Sequence, residues 1–182
     1  MPETACLFVD RLKSPVGELV LVADGGGSLR VLGWYGAGKE PPELMAELRR
    51  QCGPAVRLEQ RRNPGGLTAA IGDYFHGDVA VIDALPVAAE GTAFQQSVWS
   101  ALRQIPCGST VAYSDLARLI GRPAAVRAVG LANGSNPVAI VVPCHRVVGK
   151  DGTLTGYGGG LDRKRWLLAH EAAARPGPLF PR

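Results

Sequence analysis

The chain has 182 residues, 46% hydrophobic and 20% charged, the balance of a folded chain with a real buried core in one domain or two small ones. No apolar run approaches the roughly 18 residues of a membrane span, the first residues lack the pattern of a secretory signal, and four scattered cysteines without a Cys-x-x-Cys pair argue against a disulfide framework or a zinc site. The net charge of +4 is lopsided: residues 1–91 carry 9 Lys and Arg against 12 Asp and Glu, net −3, whereas residues 92–182 carry 11 against 4, net +7. Free thiols place the expected home in the reducing cytoplasm, and the basic second half points to a polyanionic partner.

Residues 7–13, 18–23 and 28–35 read as short strands separated by Ser14-Pro-Val-Gly17 and Asp24-Gly-Gly-Gly-Ser28, both turn signals, so an antiparallel meander is expected. Residues 41–50 read as a helix, with proline and acid at the start and Arg49 and Arg50 in the last turn. A second helix covers 66–75, where Leu67, Ala70, Ile71 and Tyr74 share a face, and 79–82 reads as a last strand. Asp73, His76 and Asp78 are of metal-ligand type, but a solvated loop after a helix accounts for them. Residues 85–92 read as a linker where the charge balance changes, dividing the chain into an N-terminal structural domain (1–88), a C-terminal domain (89–175) and a flexible tail (176–182).

Residues 94–105 form an amphipathic helix with Phe94, Val98, Ala101, Leu102 and Ile105 on one stripe, stopped by Pro106-Cys-Gly108, where Cys107 reads as an incidental thiol. A short helix over 114–120 follows, with Ser114 as N-cap and Leu116, Leu119 and Ile120 as its buried face. Gly121-Arg-Pro123 turns the chain into another helix, 124–132, with Pro123 in its first turn. There Val126, Val129 and Gly130 are assigned to the core, leaving Ala124, Arg127 and Leu131 in an outward row. Two short helices about a glycine turn make a helix-turn-helix candidate. An ordinary helical hairpin has the same pattern, and the +7 charge favours DNA.

Residues 138–142, Val-Ala-Ile-Val-Val, read as a buried strand that Pro143 ends, presenting Cys144 and His145 together on a rigid scaffold. The plainer reading is a core cysteine beside a histidine bonded to a carbonyl. Loops follow at 149–152 and 156–160; the glycine run lacks the Lys-Ser/Thr of a P-loop and reads as a lid or a close approach to a flat ligand. Residues 162–174 form a helix on which Glu171 falls between Leu167 and Leu168, either snorkelling out or buried against a partner. A thiol with a pKa of about 8.5 needs a base, and the base needs a carboxylate to orient it. Cys, His and Glu also suit a cysteine hydrolase, against which the basic helix-turn-helix argues.

Pro143-Cys-His-Arg-Val147, preceded by Arg127-Ala-Val-Gly130 and Asn136-Pro137 and followed by Gly156-Tyr157 and Gly159-Gly160, resembles the O6-alkylguanine-DNA alkyltransferases. The match runs from about Thr92 to Glu171; the first half shares only a general shape and Tyr74-Phe75-x-Gly77. The resemblance implies an α/β (α+β) fold: a small RNase H-like N-terminal sheet and helix domain, then a helical, winged helix-turn-helix-like domain. It implies transfer of an alkyl group from O6-alkylguanine, and O4-alkylthymine, in double-stranded DNA to Cys144, once per molecule, without cofactor or metal. His145 would take the thiol proton through a water, Glu171 would hold the imidazole, and Asn136 would tie the helix-turn-helix to the active-site turn. Arg127 would fill the gap left by the flipped base, because a thiol cannot reach O6 inside a stacked duplex. Tyr113 would crowd the flanking phosphate and donate to guanine N3, with Ser114 and Ala124 also on the DNA face. Carbonyls of Cys144 and Val147 would accept from the guanine amino group, and N–H groups of Tyr157 and Gly158 would donate to O6.

Gly158 stands where some members carry serine, which widens the pocket towards bulkier alkyl groups, and Cys6 lacks the partners of the members' N-terminal zinc site. No fused cysteine-rich domain is expected, and the protein is expected to be a monomer with room for cooperative assembly on DNA. The competing class is a non-catalytic helix-turn-helix protein that binds alkylated DNA; lesion sensors of that type lack the acceptor cysteine that Cys144 supplies.

Overall fold

The computed structural model describes residues 5–36 and 41–174; the tail expected over 176–182 lies outside the described residues. Strands β1 (Ala5–Ser14) and β2 (Gly17–Ala23) form a tight antiparallel hairpin, registered from Phe8 opposite Ala23 to Ser14 opposite Gly17. β3 (Leu29–Gly33) adds antiparallel to β2, the expected meander. Helix α1 (Pro42–Cys52) then crosses over to β4 (Val56–Gln60), which lies parallel to β1, giving the sheet order β3-β2-β1-β4. β4 has half-buried and exposed side chains, none fully buried, and no clean alternation, so sequence pattern did not reveal it.

The unbroken apolar run of β2 is explained by burial of both sheet faces. Val20 and Val22 face Leu44, Met45 and Leu48 of α1, whereas Leu19, Leu21 and Ala23 face α2 (Leu67–Phe75) and the second half of the chain. Residues 79–82 are not a strand. They enter a 3-10 turn at Val81–Ala84, in which Val81 N–H bonds Asp78 O and Asp83 N–H bonds Ala80 O. Val79 and Ile82 are buried three apart, a turn spacing rather than a strand period.

The stretch read as a linker is pinned to β3: Leu29 N–H bonds Pro86 O and Ala88 N–H bonds Leu29 O, both at 2.8 Å. Further along β3, Leu32 exchanges bonds with Pro137 O and Ala139 N–H. One continuous core therefore joins Leu29 and Leu32 to Val98, Leu102, Val138 and Ile140. α3 (Ala93–Leu102) starts with a reciprocal capping box between Thr92 and Gln95.

After α3 come β5 (Val111–Ala112), α4 (Tyr113–Leu119) and α5 (Val126–Gly134). Ser114 is not the N-cap: α4 begins one residue earlier, at Tyr113, and Ala112 N–H bonds the Asp115 carboxylate at 3.2 Å. Pro123 and Ala124 precede α5 instead of opening it, and the buried stripe shifts to Val129, Ala132 and Asn133. Val126 and Leu119, both assigned to the core, are 37% and 57% exposed.

Residues 138–142 are buried as expected but do not form a strand. Val138 makes a single bridge to Leu32, after which Val141 N–H bonds Ala139 O, Val142 N–H bonds Val138 O and Cys144 N–H bonds Val142 O. The segment is a knot of tight turns whose backbone groups are met partly within it and partly by Leu32 and the Asn136 side chain. Ile140 sits at φ +72°, a strained position for a β-branched residue, held there by complete burial. The chain leaves this knot through a 3-10 turn, Cys144–Arg146, into β6 (Val147–Val148), which pairs parallel with β5. α6 (Leu161–Ala173) closes the described fold.

Candidate active site

Cys144 begins the 3-10 turn after the knot and is buried at the wall of a cavity of about 440 Å³. Its Sγ accepts a hydrogen bond from Asn136 Nδ2 at 3.2 Å. The same amide nitrogen reaches Val142 O at 2.7 Å, and Asn136 Oδ1 accepts from Val138 N–H at 3.0 Å. Asn136 thus stitches the end of the helix-turn-helix to the turn that carries the thiol. Burial pushes the Cys144 thiol up; the Asn136 hydrogen bond, the Lys164 charge and the N–H groups of Cys144 and His145 oppose it.

Behind the thiol, Glu171 is fully buried and accepts from five groups. His145 Nε2 is 2.8 Å from Oε1, and Arg146 Nη2 and Nε are each 2.9 Å from Oε1 and Oε2. Tyr74 Oη donates to Oε1 at 3.0 Å and Gly108 N–H to Oε2 at 3.2 Å. Burial alone would raise this carboxyl, but the hydrogen bonds and charges of His145 and Arg146 outweigh it and hold it well below the usual carboxylate range. Burial lowers His145, with Glu171 pulling the other way. A carboxylate only accepts, so neutral His145 carries its proton on Nε2 and keeps a lone pair on Nδ1, which has no protein partner among the described residues. That is the tautomer a general base requires.

Arg146 also donates to Ile105 O at 2.7 Å, anchoring the 3-10 turn to the end of α3. Lys164, buried on α6, donates to Val147 O at 2.6 Å and Thr155 O at 2.8 Å. Cys107 lies against Glu171; burial first, then the Glu171 charge, push its thiol up to about 12, so it stays protonated.

The structure brings Cys144, Asn136, Tyr113, Tyr157 and Gly158 to one cavity, with His145 and Glu171 packed behind the thiol. Val147 is not in the cavity wall, and its carbonyl is engaged by Lys164. Arg127 and Ala124 are exposed, Arg127 on α5 and Ala124 in the turn before it, and Ser114 is half-buried in the first turn of α4. A Cβ at Gly158 would meet only Gly134 O, at 4.0 Å, so that position has room. Among the described residues no group of three or more His, Cys, Asp or Glu could hold a metal ion, and no helix is long and apolar enough to cross a membrane.

Sequence reasoning missed three members of this network. Lys164 precedes Leu167 and Glu171 by three and seven positions, a helical stripe that could have exposed it. Tyr74 was absorbed into an apolar stripe that concealed its hydroxyl. Arg146 had no usable signal, because a strand reading of 138–142 leaves its direction undetermined.

Residues 93–173 match the family model of the 6-O-methylguanine DNA methyltransferase DNA-binding domain. The methylated-DNA–protein-cysteine methyltransferase of Salmonella typhimurium is 48% identical over 165 residues, covering 91% of this chain and 95% of that protein. The crystal structure of Mycobacterium tuberculosis O6-methylguanine methyltransferase superposes with a TM-score of 0.75 at 38% identity, covering 95% of this chain and 97% of that one. That of Mycobacterium tuberculosis OGT in complex with DNA gives 0.71 at 39%, covering 94% and 95%. Cys144 against an asparagine, with a histidine and a buried glutamate behind it, thus sits in a chain whose relatives cover nearly its whole length: the protein belongs to the methylated-DNA–protein-cysteine methyltransferase family.

Proposed function

We propose that this protein repairs DNA by taking the alkyl group of O6-alkylguanine, and of O4-alkylthymine, onto Cys144. The observation that carries the reading is the Asn136–Cys144 pair at the cavity wall with the buried His145–Glu171 pair next to it, tied by Asn136 and by the β5–β6 pair to the helix-turn-helix of α4 and α5. His145 Nδ1 takes the thiol proton through a water, and Glu171 stabilises the imidazolium that forms. Asn136 holds the thiolate with its N–H. The Sγ–carbon bond forms as the carbon–O6 bond breaks, and guanine leaves with a carbonyl at O6 and a proton regained on its ring, assisted by the Tyr113 hydroxyl at N3. The product is a thioether, so each molecule reacts once and needs no cofactor.

Double-stranded DNA is the partner of the basic second half. Arg127, on the exposed face of α5, replaces the extruded base in the stack, and Ala124 and Ser114 lie on the same approach. The Cys144 carbonyl accepts from the guanine amino group, and N–H groups at Tyr157 and Gly158 donate to O6. Residues 1–88 act as the structural domain and 89–175 as the DNA-binding and acceptor domain of a cytoplasmic monomer. Titration with a duplex holding one O6-methylguanine tests this: repaired guanine should equal the moles of protein and stop. Continued turnover would overturn it.

A further inference from the structure

Building on that repair activity, we infer that Trp34, contributed by the N-terminal half, is the wall that limits the size of the alkyl group reaching Cys144. Trp34 follows the end of β3 and lines the same cavity as Cys144. Its ring lies 6.1 Å from that of Tyr157, edge to face at 70°. A Cβ built on Gly159 would stand 2.6 Å from Trp34 Cζ3 and 2.7 Å from Tyr157 Cε1. The backbone of Gly159 is not left-handed, so space alone demands glycine there, and the Trp34 indole occupies that space together with the Tyr157 ring.

The indole is also held from its other side. The Arg163 guanidinium lies 4.8 Å from the ring, while Nε donates to Val16 O at 2.7 Å and Nη1 to Gly159 O at 2.8 Å. A Cβ on Gly17 would meet Trp34 Cδ1 at 3.6 Å and Arg163 Nη2 at 3.3 Å. The indole therefore lies between the β1–β2 turn and the glycine loop, under an Arg163 side chain that bonds to both.

Gly158 and Gly159 face opposite situations: the first has room around it, the second is filled against Trp34. Absence of a side chain at Gly158 alone does not make the pocket generous. An apolar wall that a larger group would have to displace discriminates by about 10- to 200-fold for small differences in size.

The test compares second-order rates of Cys144 alkylation by duplexes carrying O6-methylguanine or O6-benzylguanine, for wild type, Trp34→Phe and Trp34→Ala. The benzyl-to-methyl ratio should rise by about tenfold or more in Trp34→Ala, with Trp34→Phe between the two. A loop anchor with no part in selection would slow both substrates alike and leave the ratio unchanged, and that result overturns the inference. Trp34→Phe keeps an aromatic ring against Tyr157 and carries the test if Trp34→Ala does not fold. A wild-type protein that takes no methyl would sink the repair reading itself, a distinguishable failure.

Discussion

Glu171→Gln is the perturbation that most strains this account. The carboxylate balances the buried Arg146 guanidinium and accepts from four groups besides that bidentate partner's second nitrogen: His145, Tyr74, Gly108 and Arg146 Nε. Glutamine has nearly the same shape, but it removes the charge and turns one acceptor into a donor facing donors. Breaking a buried ion pair in this way costs about 3–5 kcal/mol, because the remaining charge has nowhere to go. For a chain of this size that corresponds to a melting midpoint lower by roughly 6–20 °C. Tyr74→Phe takes away one donor and no charge, so it should cost only about 1–3 kcal/mol. Urea unfolding of the three proteins gives both numbers, and single-turnover methyl transfer gives the kinetic counterpart, a fall of about 10²–10⁴-fold for Glu171→Gln as His145 loses its tautomer. A Glu171→Gln protein within about 1 kcal/mol of wild type, or no less stable than Tyr74→Phe, would mean that Glu171 does not neutralise a buried Arg146 charge.

Three further outcomes follow from the same geometry. Asn136→Leu removes the N–H that stabilises the thiolate, so the Cys144 thiol should titrate higher, read by ultraviolet absorbance, and methyl transfer should shift towards alkaline pH. Arg127→Ala should slow repair of duplex DNA and flatten its salt dependence while leaving reaction with the free O6-methylguanine base unchanged, since Arg127 is exposed and outside the cavity wall. Glu171 is held below its ordinary 4.5, so the stability it supplies is complete above that value and is lost as pH falls below it towards the depressed one. His145 is held below its ordinary 6.5, so between that value and its lowered one the unfolded chain takes a proton that the folded protein refuses, which also lowers stability in acid. Urea midpoints measured across this range should fall with pH in wild type and lose the lower segment of that fall in Glu171→Gln.

The sequence was informative where one side chain's chemistry conflicted with its surroundings. Glu171 on an apolar arc had to snorkel out or be buried against a partner, and the second holds: it is fully buried, with His145 2.8 Å from it. The meander and the amphipathic helices followed from periodicity, because burial on one face or both leaves a regular trace. The 138–142 segment misled for the opposite reason: five apolar residues state that a stretch is buried but not how its backbone bonds are met. Here they are met partly by tight turns and a left-handed Ile140, a conformation that tertiary packing imposes against local preference. β4 was hidden by its mixed, half-buried pattern at a sheet edge. The N-terminal contribution to the site was hidden for a different reason: Tyr74 meets Glu171 across 97 positions, and Arg163 meets Val16 across 147. No local pattern carries such pairings.

Alkyl transfer should end on Cys144 Sγ and on no other thiol of the chain. Peptide mapping by mass spectrometry after incubation with duplex DNA carrying O6-methylguanine tests it directly. One methyl is expected on the peptide containing Cys144, none on those containing Cys6, Cys52 or Cys107, and none on a Cys144→Ala protein that still binds the duplex. Equal labelling of Cys144→Ala, or a methyl found on Cys107, would contradict it.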